Sequence, residues 1–422
     1  MTEKLLQYIW QFQHFNPALL TTSDNESLQI NSPGTLNYNQ GPDFLDANIK
    51  VGDTTWAGNI ELHLKSTDWT SHQHSQDKNY NNVILHVVWQ DDGAVEASFP
   101  VLELQNRVSK ILLNRYDELM NTASFIACEK NIHQVNELTW KSWTDRLLAE
   151  RLQHKSAIIF DHLKENNNHW EETFWWLLAY TFGIKVNSET FEKIARSLPV
   201  KLLAKHKNQI HQLEALLFGQ AGLLDGDFTE TYPQMLQKEY WFYKSKYKLQ
   251  PVHAALYFLR MRPANFPSVR LAQMAMLINK SIHLFSVTRE ATSLKEIKDL
   301  LNVTANDYWH YHYVFDEAAT FKEKHLGVQM INNILINTII PIVFAYGVYN
   351  REEQYKEKAQ QWLEQTAAEK NGITNAYTLL GIQNNNAFDS QALIQLKNEY
   401  CNRKRCLECA VGNSLLKNYS QL

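Results

Sequence analysis

The spacing of apolar residues changes near residue 110, and this change constrains the fold more than any other feature of the sequence. Before that point, Ala47–Val51 and Trp56–Lys65 alternate apolar and polar residues, which predicts two strands joined by a turn at Gly52-Asp53. Val83–Trp89 is almost continuously apolar, which is typical of a strand buried on both faces. Ala97–Leu104 is expected to form one more strand.

Beyond this point, apolar residues recur with the 3.6-residue period of amphipathic helices, and the segments predicted to be helical include 136–164, 233–259 and 312–349. Only 14 Gly and 10 Pro occur in 422 residues, so few residues interrupt such helices. We therefore predict an α+β protein, in which a mixed α/β module at residues 1–110 is followed by a large all-α region at residues 111–422.

Charge, cysteine content and missing motifs exclude several classes of protein. The formal net charge of −4 excludes a global basic field for nucleic acid but is compatible with a local basic groove. The first ten residues do not resemble a signal peptide, no apolar run reaches the ~20 residues that span a bilayer, and four Cys make no secreted disulfide framework. We expect a cytoplasmic protein that is not in a membrane, and the sequence identifies no protein partner. Phosphate-loop, dinucleotide and nucleophile-elbow motifs do not occur, which disfavours those enzyme classes.

The densest set of reactive side chains lies between residues 41 and 86. Asp43 follows a Gly-Pro turn, and Glu61, His63 and Lys65 follow at two-residue steps on the second predicted strand, so these three share one face of that strand. If Asp43 approaches Glu61 across the hairpin, the two carboxylates form an oxygen-rich pocket that suits Mg²⁺ or Mn²⁺. Such a site could hydrolyse a phosphodiester, with Lys65 or His63 orienting the attacking water.

This arrangement resembles the core of the PD-(D/E)XK nucleases. Pro42-Asp43 matches the PD element, and Glu61-Leu62-His63 stands where the (D/E)XK element is expected, with His63 in the Lys position and Lys65 as its substitute. The resemblance implies a metal-dependent nuclease-like protein that hydrolyses phosphodiester bonds in nucleic acid. Two alternatives stay open: a solvated or structural polar network on the strand, and a non-catalytic, partner-binding scaffold with an inactivated nuclease-like fold.

Histidines in the same region support a third interpretation. His63, His72, His74 and His86 lie close in sequence, and imidazoles combined with a carboxylate suit Zn²⁺ better than Mg²⁺. The sequence therefore also permits a zinc-dependent hydrolase, or a mixed site that adds one such histidine to Asp43, Glu61 and His63. The alternative places His86 in the core with an ordinary hydrogen-bond partner, and His72 and His74 in a solvated loop.

Three cysteines cluster near the end of the chain. Cys401, Cys406 and Cys409 form a C-x4-C-x2-C pattern, and together with Cys128 they would supply four thiolates. Four thiolates suit a closed Zn²⁺ site or an iron–sulfur cluster. Reduced, partly buried cysteines without metal are the alternative.

A Pro-flanked turn in the helical region contains the remaining candidate site residues. Arg262, Asn265 and Arg270 could bind the phosphates or carboxylates of a substrate, since guanidinium groups form forked hydrogen bonds. The same residues could instead tie two helices together.

A second resemblance covers nearly the whole chain. It rests on several short motifs, which are GPDF, WAGNIELH, STDW, HQHSQD, VILHVVW, RPANFPSVR and RCLECAVG. Together these motifs resemble a bacterial family known as a domain of unknown function. This resemblance implies no particular activity.

Overall fold

The computed structural model describes residues 1–93 and 99–417. The protein is 55% helical and has a mixed sheet near its N-terminus, which confirms the predicted α+β class. The chain forms two compact units: Met1–Trp143 together with Leu396–Leu422, and Thr144–Gln395. We call the first the sheet unit and the second the helical unit, and the sheet unit extends beyond residue 110.

Six strands form the sheet, and five of them follow one another across it in the order β1-β3-β4-β5-β6, with β2 paired to β3. The strands are β1 (Leu28–Ser32), β2 (Thr35–Leu36), β3 (Phe44–Val51), β4 (Thr54–Lys65), β5 (Val83–Gln90) and β6 (Val101–Glu103). β3 and β4 are antiparallel, whereas β4, β5 and β6 run parallel. Of the strand predicted from Ala97, the first two residues lie outside the described residues.

The β3–β4 hairpin fixes which residues meet at its open end. Its predicted turn is confirmed, since Val51 pairs with Thr54 and Gly52 has φ +56°, the conformation that a two-residue hairpin turn favours at its first position. At the other end Phe44 pairs with Ile60. The register therefore places Asp43, which directly precedes Phe44, opposite Glu61, which directly follows Ile60. These residues are the two predicted acids.

The two faces of β4 have different neighbours. Ile60 and Leu62 are buried in the apolar core of the sheet unit, where they cluster with Leu6, Ile9 and Trp10 from the first helix. That helix is amphipathic, so its apolar stripe is removed from water against the sheet. The opposite, polar face of β4 carries the candidate site.

Eighteen α-helices occur in the described residues. They are α1 (Glu3–Gln11), α2 (Asp68–Ser71), α3 (Lys110–Asn121), α4 (Glu137–Glu165), α5 (Trp170–Phe182), α6 (Ser188–Ser197), α7 (Val200–His206), α8 (Ile210–Gln220), α9 (Thr231–Tyr247), α10 (Pro267–Lys280), α11 (Leu284–Glu290), α12 (Leu294–Leu301), α13 (Val328–Ile334), α14 (Ile340–Asn350), α15 (Glu353–Glu364), α16 (Gly372–Leu379), α17 (Ala387–Gln395) and α18 (Ala410–Lys417). Two π-helical segments, Leu335–Ile339 and Leu396–Cys401, connect or extend them.

Two helices predicted from periodicity are shorter than expected. The helix predicted at 233–259 ends at Tyr247, followed by Lys248 in the left-handed conformation and by Pro251, which has no N–H to donate. The helix predicted at 312–349 begins only at Val328. Apolar spacing was wrong in both places because irregular segments also bury occasional apolar side chains.

One helical stretch within the described ranges, Val328–Asn350, is long and apolar enough to cross a membrane. Its mean hydropathy is 1.6, and 67% of its apolar window is buried inside the protein. Such burial is typical of a core helix.

The helical unit also buries a carboxyl group in its core. Glu214 is fully buried, and its oxygens accept hydrogen bonds from the indole N–H of Trp309 at 3.1 Å and from the hydroxyl of Tyr232. Burial raises the pKa of Glu214 to about 7, and these hydrogen bonds oppose part of that rise.

Candidate metal centre

The segment that follows β4 covers the polar face of that strand. Residues 66–80 form α2 and two short 3-10 turns, and they return the chain across β4 before β5 begins. Trp69 anchors the segment, since its buried ring contacts the imidazole of His86 at a centroid distance of 5.5 Å. This return places His72 and His74 over the strand that carries Glu61 and His63.

Three potential ligand atoms lie around Nε2 of His63, which is itself a fourth. Nδ1 of His72 lies 3.1 Å from that nitrogen, and Nε2 of His74 lies 3.3 Å from it. Oε1 of Glu61 lies 3.6 Å from Nε2 of His63 and 3.5 Å from Nε2 of His74. The three histidine ligand atoms all lie within 4.8 Å of one another.

Four of the six separations among these atoms are close to the edges of a tetrahedral coordination sphere, and the group whose ligand atoms all lie within 4.8 Å of one another contains only the three histidines. Zn²⁺ binds imidazole nitrogen and carboxylate oxygen at about 2.0–2.2 Å, which places the ligand atoms of a tetrahedron about 3.3–3.6 Å apart. The four measured separations span 3.1–3.6 Å. His63 and Glu61 are buried and His72 is exposed, so one side of the cluster is packed inside the protein and the other is accessible to solvent.

His86 is placed to orient the imidazole of His63. Nδ1 of His63 lies 2.8 Å from Nε2 of His86, a hydrogen-bond distance. If Nδ1 of His63 carries the proton, it donates to His86 and leaves the His63 Nε2 lone pair directed at the cluster, as a metal ligand requires. Within the described part of the chain, the buried Nδ1 of His86 has no hydrogen-bond partner.

The two predicted acids meet at the edge of this cluster. The backbone N–H of Asp43 donates to Oε2 of Glu61 at 3.1 Å, and the N–H of Leu62 donates to Oδ2 of Asp43 at 3.1 Å. Oδ1 of Asp43 accepts a hydrogen bond from Gln7 at 2.8 Å. Glu61 is therefore anchored through one oxygen while the other oxygen faces the histidines.

Burial opposes charge on Glu61, Asp43, His63 and His86. It raises the pKa of Glu61 to about 9, with the Asp43 carboxylate adding to the shift, and it raises the pKa of Asp43 to about 6. It lowers the pKa of His63 to about 3 and the pKa of His86 to about 4. A divalent cation would favour ionised carboxylates and neutral imidazoles together, so it would relieve the cost of burying this set.

Not every predicted residue joins the cluster, and some neighbours were missed. Lys65 is exposed, and its Nζ lies 3.4 Å from Oδ2 of Asp92. Tyr80, which sequence analysis did not select, stacks on His74 with ring centroids 3.9 Å apart. Gln7, whose side chain donates a hydrogen bond to Oδ1 of Asp43 at 2.8 Å, was also missed.

The arginines of the helical unit are arranged differently from a preformed anion site. Arg262 is exposed, whereas Arg270 is buried and donates hydrogen bonds to Asn265 at 2.5 Å and to Gln273 at 2.8 Å. These bonds fit the alternative in which Arg270 has a structural role and joins nearby parts of the chain. Substrate binding by Arg262, Asn265 and Arg270 stays a prediction.

The four cysteines line one small cavity in the sheet unit. None of them forms a disulfide within the described chain. Burial raises the pKa of Cys406 to about 11 and that of Cys409 to about 12, and neighbouring cysteines contribute to both shifts.

Fold and site together define an α+β protein with a cluster of histidines and a carboxylate on the polar face of its sheet. The chain belongs to the family described as "Protein of unknown function (DUF2851)", which matches residues 3–372 and thus includes the whole cluster. This confirms the resemblance to a domain of unknown function. No curated protein and no solved structure matches the chain.

Proposed function

We propose that the sheet unit is a metal-dependent hydrolase that cleaves phosphodiester bonds in nucleic acid. The metal is a zinc-type ion held by His63, His72 and His74 beside Glu61. The observation that carries this proposal is the convergence of three histidine nitrogens within 4.8 Å of one another, with Oε1 of Glu61 3.5–3.6 Å from two of them. We place this activity in the cytoplasm.

The chemistry follows from three imidazoles and one carboxylate. His63, His72 and His74 would hold the ion, and Oε1 of Glu61, which lies 3.5–3.6 Å from two of their nitrogens, would lie beside a bound water, whose pKa a zinc ion lowers to about 7. Glu61 is positioned to accept the proton of that water, because its Oε2 is fixed by the N–H of Asp43. The ion would also stabilise negative charge on a scissile phosphate.

The ligand set favours zinc over the Mg²⁺ or Mn²⁺ expected from the acidic pair alone. Mg²⁺ prefers oxygen ligands in octahedral geometry, whereas three imidazole nitrogens suit Zn²⁺. Both oxygens of Asp43 already accept hydrogen bonds, which leaves this carboxylate less available as a ligand. Support for a phosphodiester substrate comes from the resemblance of Pro42-Asp43 and Glu61-Leu62-His63 to the nuclease motif.

The test combines metal analysis with hydrolysis assays on the purified full chain. We expect zinc bound at the histidine cluster and cleavage of single- or double-stranded DNA, RNA or an activated phosphodiester, lost on chelation. His74→Ala is expected to lower zinc content and hydrolysis together, whereas His133→Ala, an exposed histidine of the same unit, leaves both unchanged.

Two results would count against different parts of the proposal. A folded protein whose metal content does not respond to His74→Ala refutes the centre itself. Normal zinc content without cleavage of any phosphodiester offered refutes the activity and leaves the centre in place.

The same geometry supports a second candidate, a structural zinc site in a non-catalytic scaffold. Oε1 of Glu61 lies close enough to two histidines to be the fourth protein ligand, and closed four-ligand sites are typical of structural zinc. Glu61→Gln separates the two functions. If Glu61 acts as a base, the variant keeps its zinc and loses hydrolysis, whereas if Glu61 is a ligand, the variant loses zinc affinity and thermal stability together.

A further inference from the structure

Four cysteines that are far apart in sequence meet at one place in the sheet unit. Cys128, Cys401, Cys406 and Cys409 line a single cavity, with Ala127, Tyr400, Arg405 and Gly412 completing its walls. The cavity has a volume of about 20 Å³. The sequence contains no other cysteine, so every thiol of the chain is directed to this point.

The local backbone is shaped to present the three clustered thiols. The π-helical segment ends at Cys401, Lys404 takes the left-handed conformation at φ +49°, and a 3-10 turn then begins at Cys406. Gly412 lies so close to that turn that a Cβ there would be 2.1 Å from the carbonyl oxygen of Cys406. A side chain at Gly412 is therefore excluded, and α18 can start directly against the cysteines.

The cavity also offers groups that stabilise thiolates. The backbone N–H groups of Val411 and Gly412, in the first turn of α18, favour the thiolate form of Cys409. N–H groups of a first helical turn carry partial positive charge, and hydrogen bonds to sulfur are a recurrent feature of cysteine-ligated metal sites. Arg405 also lines the cavity, and its guanidinium pairs with Glu408 and lies over the Tyr400 ring.

The spacing of the sulfurs distinguishes a cluster from a single ion. A tetrahedral Zn²⁺ with four Zn–S bonds of about 2.3 Å holds its sulfurs about 3.8 Å apart. Within the described residues, three metal-ligating side chains lie within 4.8 Å of one another only at His63, His72 and His74. The cysteine sulfurs are thus spaced more widely than one zinc ion requires. An iron–sulfur cluster has its inorganic core between the cysteines, so it needs this wider spacing.

We propose that Cys128, Cys401, Cys406 and Cys409 bind an iron–sulfur cluster. Each thiol loses its proton and forms one bond to iron, so the cluster joins residues 401–409 to the segment around Cys128. Its role is to fasten these two distant parts of the chain, with no electron transfer required. The inference does not depend on the proposed hydrolase, because none of its residues belongs to the histidine cluster.

The experiment measures iron and acid-labile sulfide in full-length protein purified without oxygen and, in parallel, after anaerobic reconstitution with iron and sulfide. We expect both elements in equal amounts and the broad visible absorption of an iron–sulfur chromophore. Zinc bound at the cysteines, or protein that holds neither iron nor sulfide after reconstitution, overturns the proposal.

Variants test the ligand assignment. Cys128→Ala and Cys409→Ala are expected to lose the chromophore and nearly all iron. Arg403→Ala is the matched control, because its exposed side chain lies between the clustered cysteines but pairs with Glu399. Far-UV circular dichroism and thermal denaturation of each variant distinguish a folded variant without iron from an unfolded one. A Cys128→Ala variant that keeps its full iron content contradicts the ligand set.

Discussion

His86→Leu is the most informative perturbation of the metal centre, because it removes a group that orients a ligand without removing a ligand. In the native protein, Nε2 of His86 lies 2.8 Å from Nδ1 of His63, and both side chains are buried. Leucine fills a similar volume but offers no acceptor. The proton of His63 then loses its partner, and the imidazole is free to adopt the wrong tautomer or to rotate.

The size of the effect can be derived from these contacts. Loss of a group that hydrogen-bonds a metal ligand lowers metal affinity by about 10–100-fold, which corresponds to about 1.4–2.7 kcal/mol of binding free energy. The metal-free protein should change less. The unpaired His63 N–H costs about 1–3 kcal/mol, but the substitution also removes the buried and unpartnered Nδ1 of His86, as the described residues define it.

The assay is competition for zinc with a chromophoric chelator, combined with thermal denaturation of metal-free and zinc-loaded protein. His86→Leu should raise the Kd for zinc about 10–100-fold and reduce the stabilisation by zinc accordingly. Val87→Ala, on the opposite face of the same strand, is the control: it should destabilise the fold by roughly 1–3 kcal/mol without changing zinc affinity. An unchanged zinc Kd in His86→Leu refutes the idea that His86 orients His63.

Three further predictions concern stability. Burial raises the pKa of Glu214 from its ordinary 4.5 to about 7. Its contribution to the free energy of unfolding is therefore fully present below about pH 4.5, and about 3 kcal/mol of it is lost as the pH rises to about 7. Denaturant titrations of Glu214→Gln should lack this part of the pH dependence. Gly219→Ala should lower the free energy of unfolding by about 1–3 kcal/mol, because its Cβ would lie 2.1 Å from the ring of Tyr240, whereas Gly327→Ala, with nothing within 4 Å, should not. Chelation should lower the Tm, since an ion at a thousandfold excess over its Kd stabilises the folded state by about 4 kcal/mol, and an unchanged Tm argues against a bound ion.

Part of the site follows from local sequence patterns. Alternation along β4 predicts that Glu61 and His63 share a face, and the Gly52-Asp53 turn fixes the hairpin register that brings Asp43 to Glu61. The same alternation predicts that Lys65 lies beside Glu61 and His63, which does not identify its ion-pair partner. Lys65 lies at the end of β4, where the acceptor next to it is Asp92 from the end of β5.

The positions of His72 and His74 could not be predicted from local sequence patterns. His72 and His74 lie in a polar segment without a clear period, and nothing in that segment says that it returns over β4. The return is decided by tertiary contacts, such as burial of Trp69 against His86 and of the Tyr80 ring on His74. The same holds for Cys128, whose three partners lie more than 270 residues further along the chain.

The sequence by itself determined the α+β class, the hairpin and the amphipathic faces, because each depends on periods of two or 3.6 residues or on turn chemistry, and it contains two sets of side chains of the types that can ligate metals. Tertiary structure alone decided which of those side chains meet, at what separation, and where helices stop. Contacts between distant segments depend on how whole elements bury their apolar faces together, and no local spacing records that outcome.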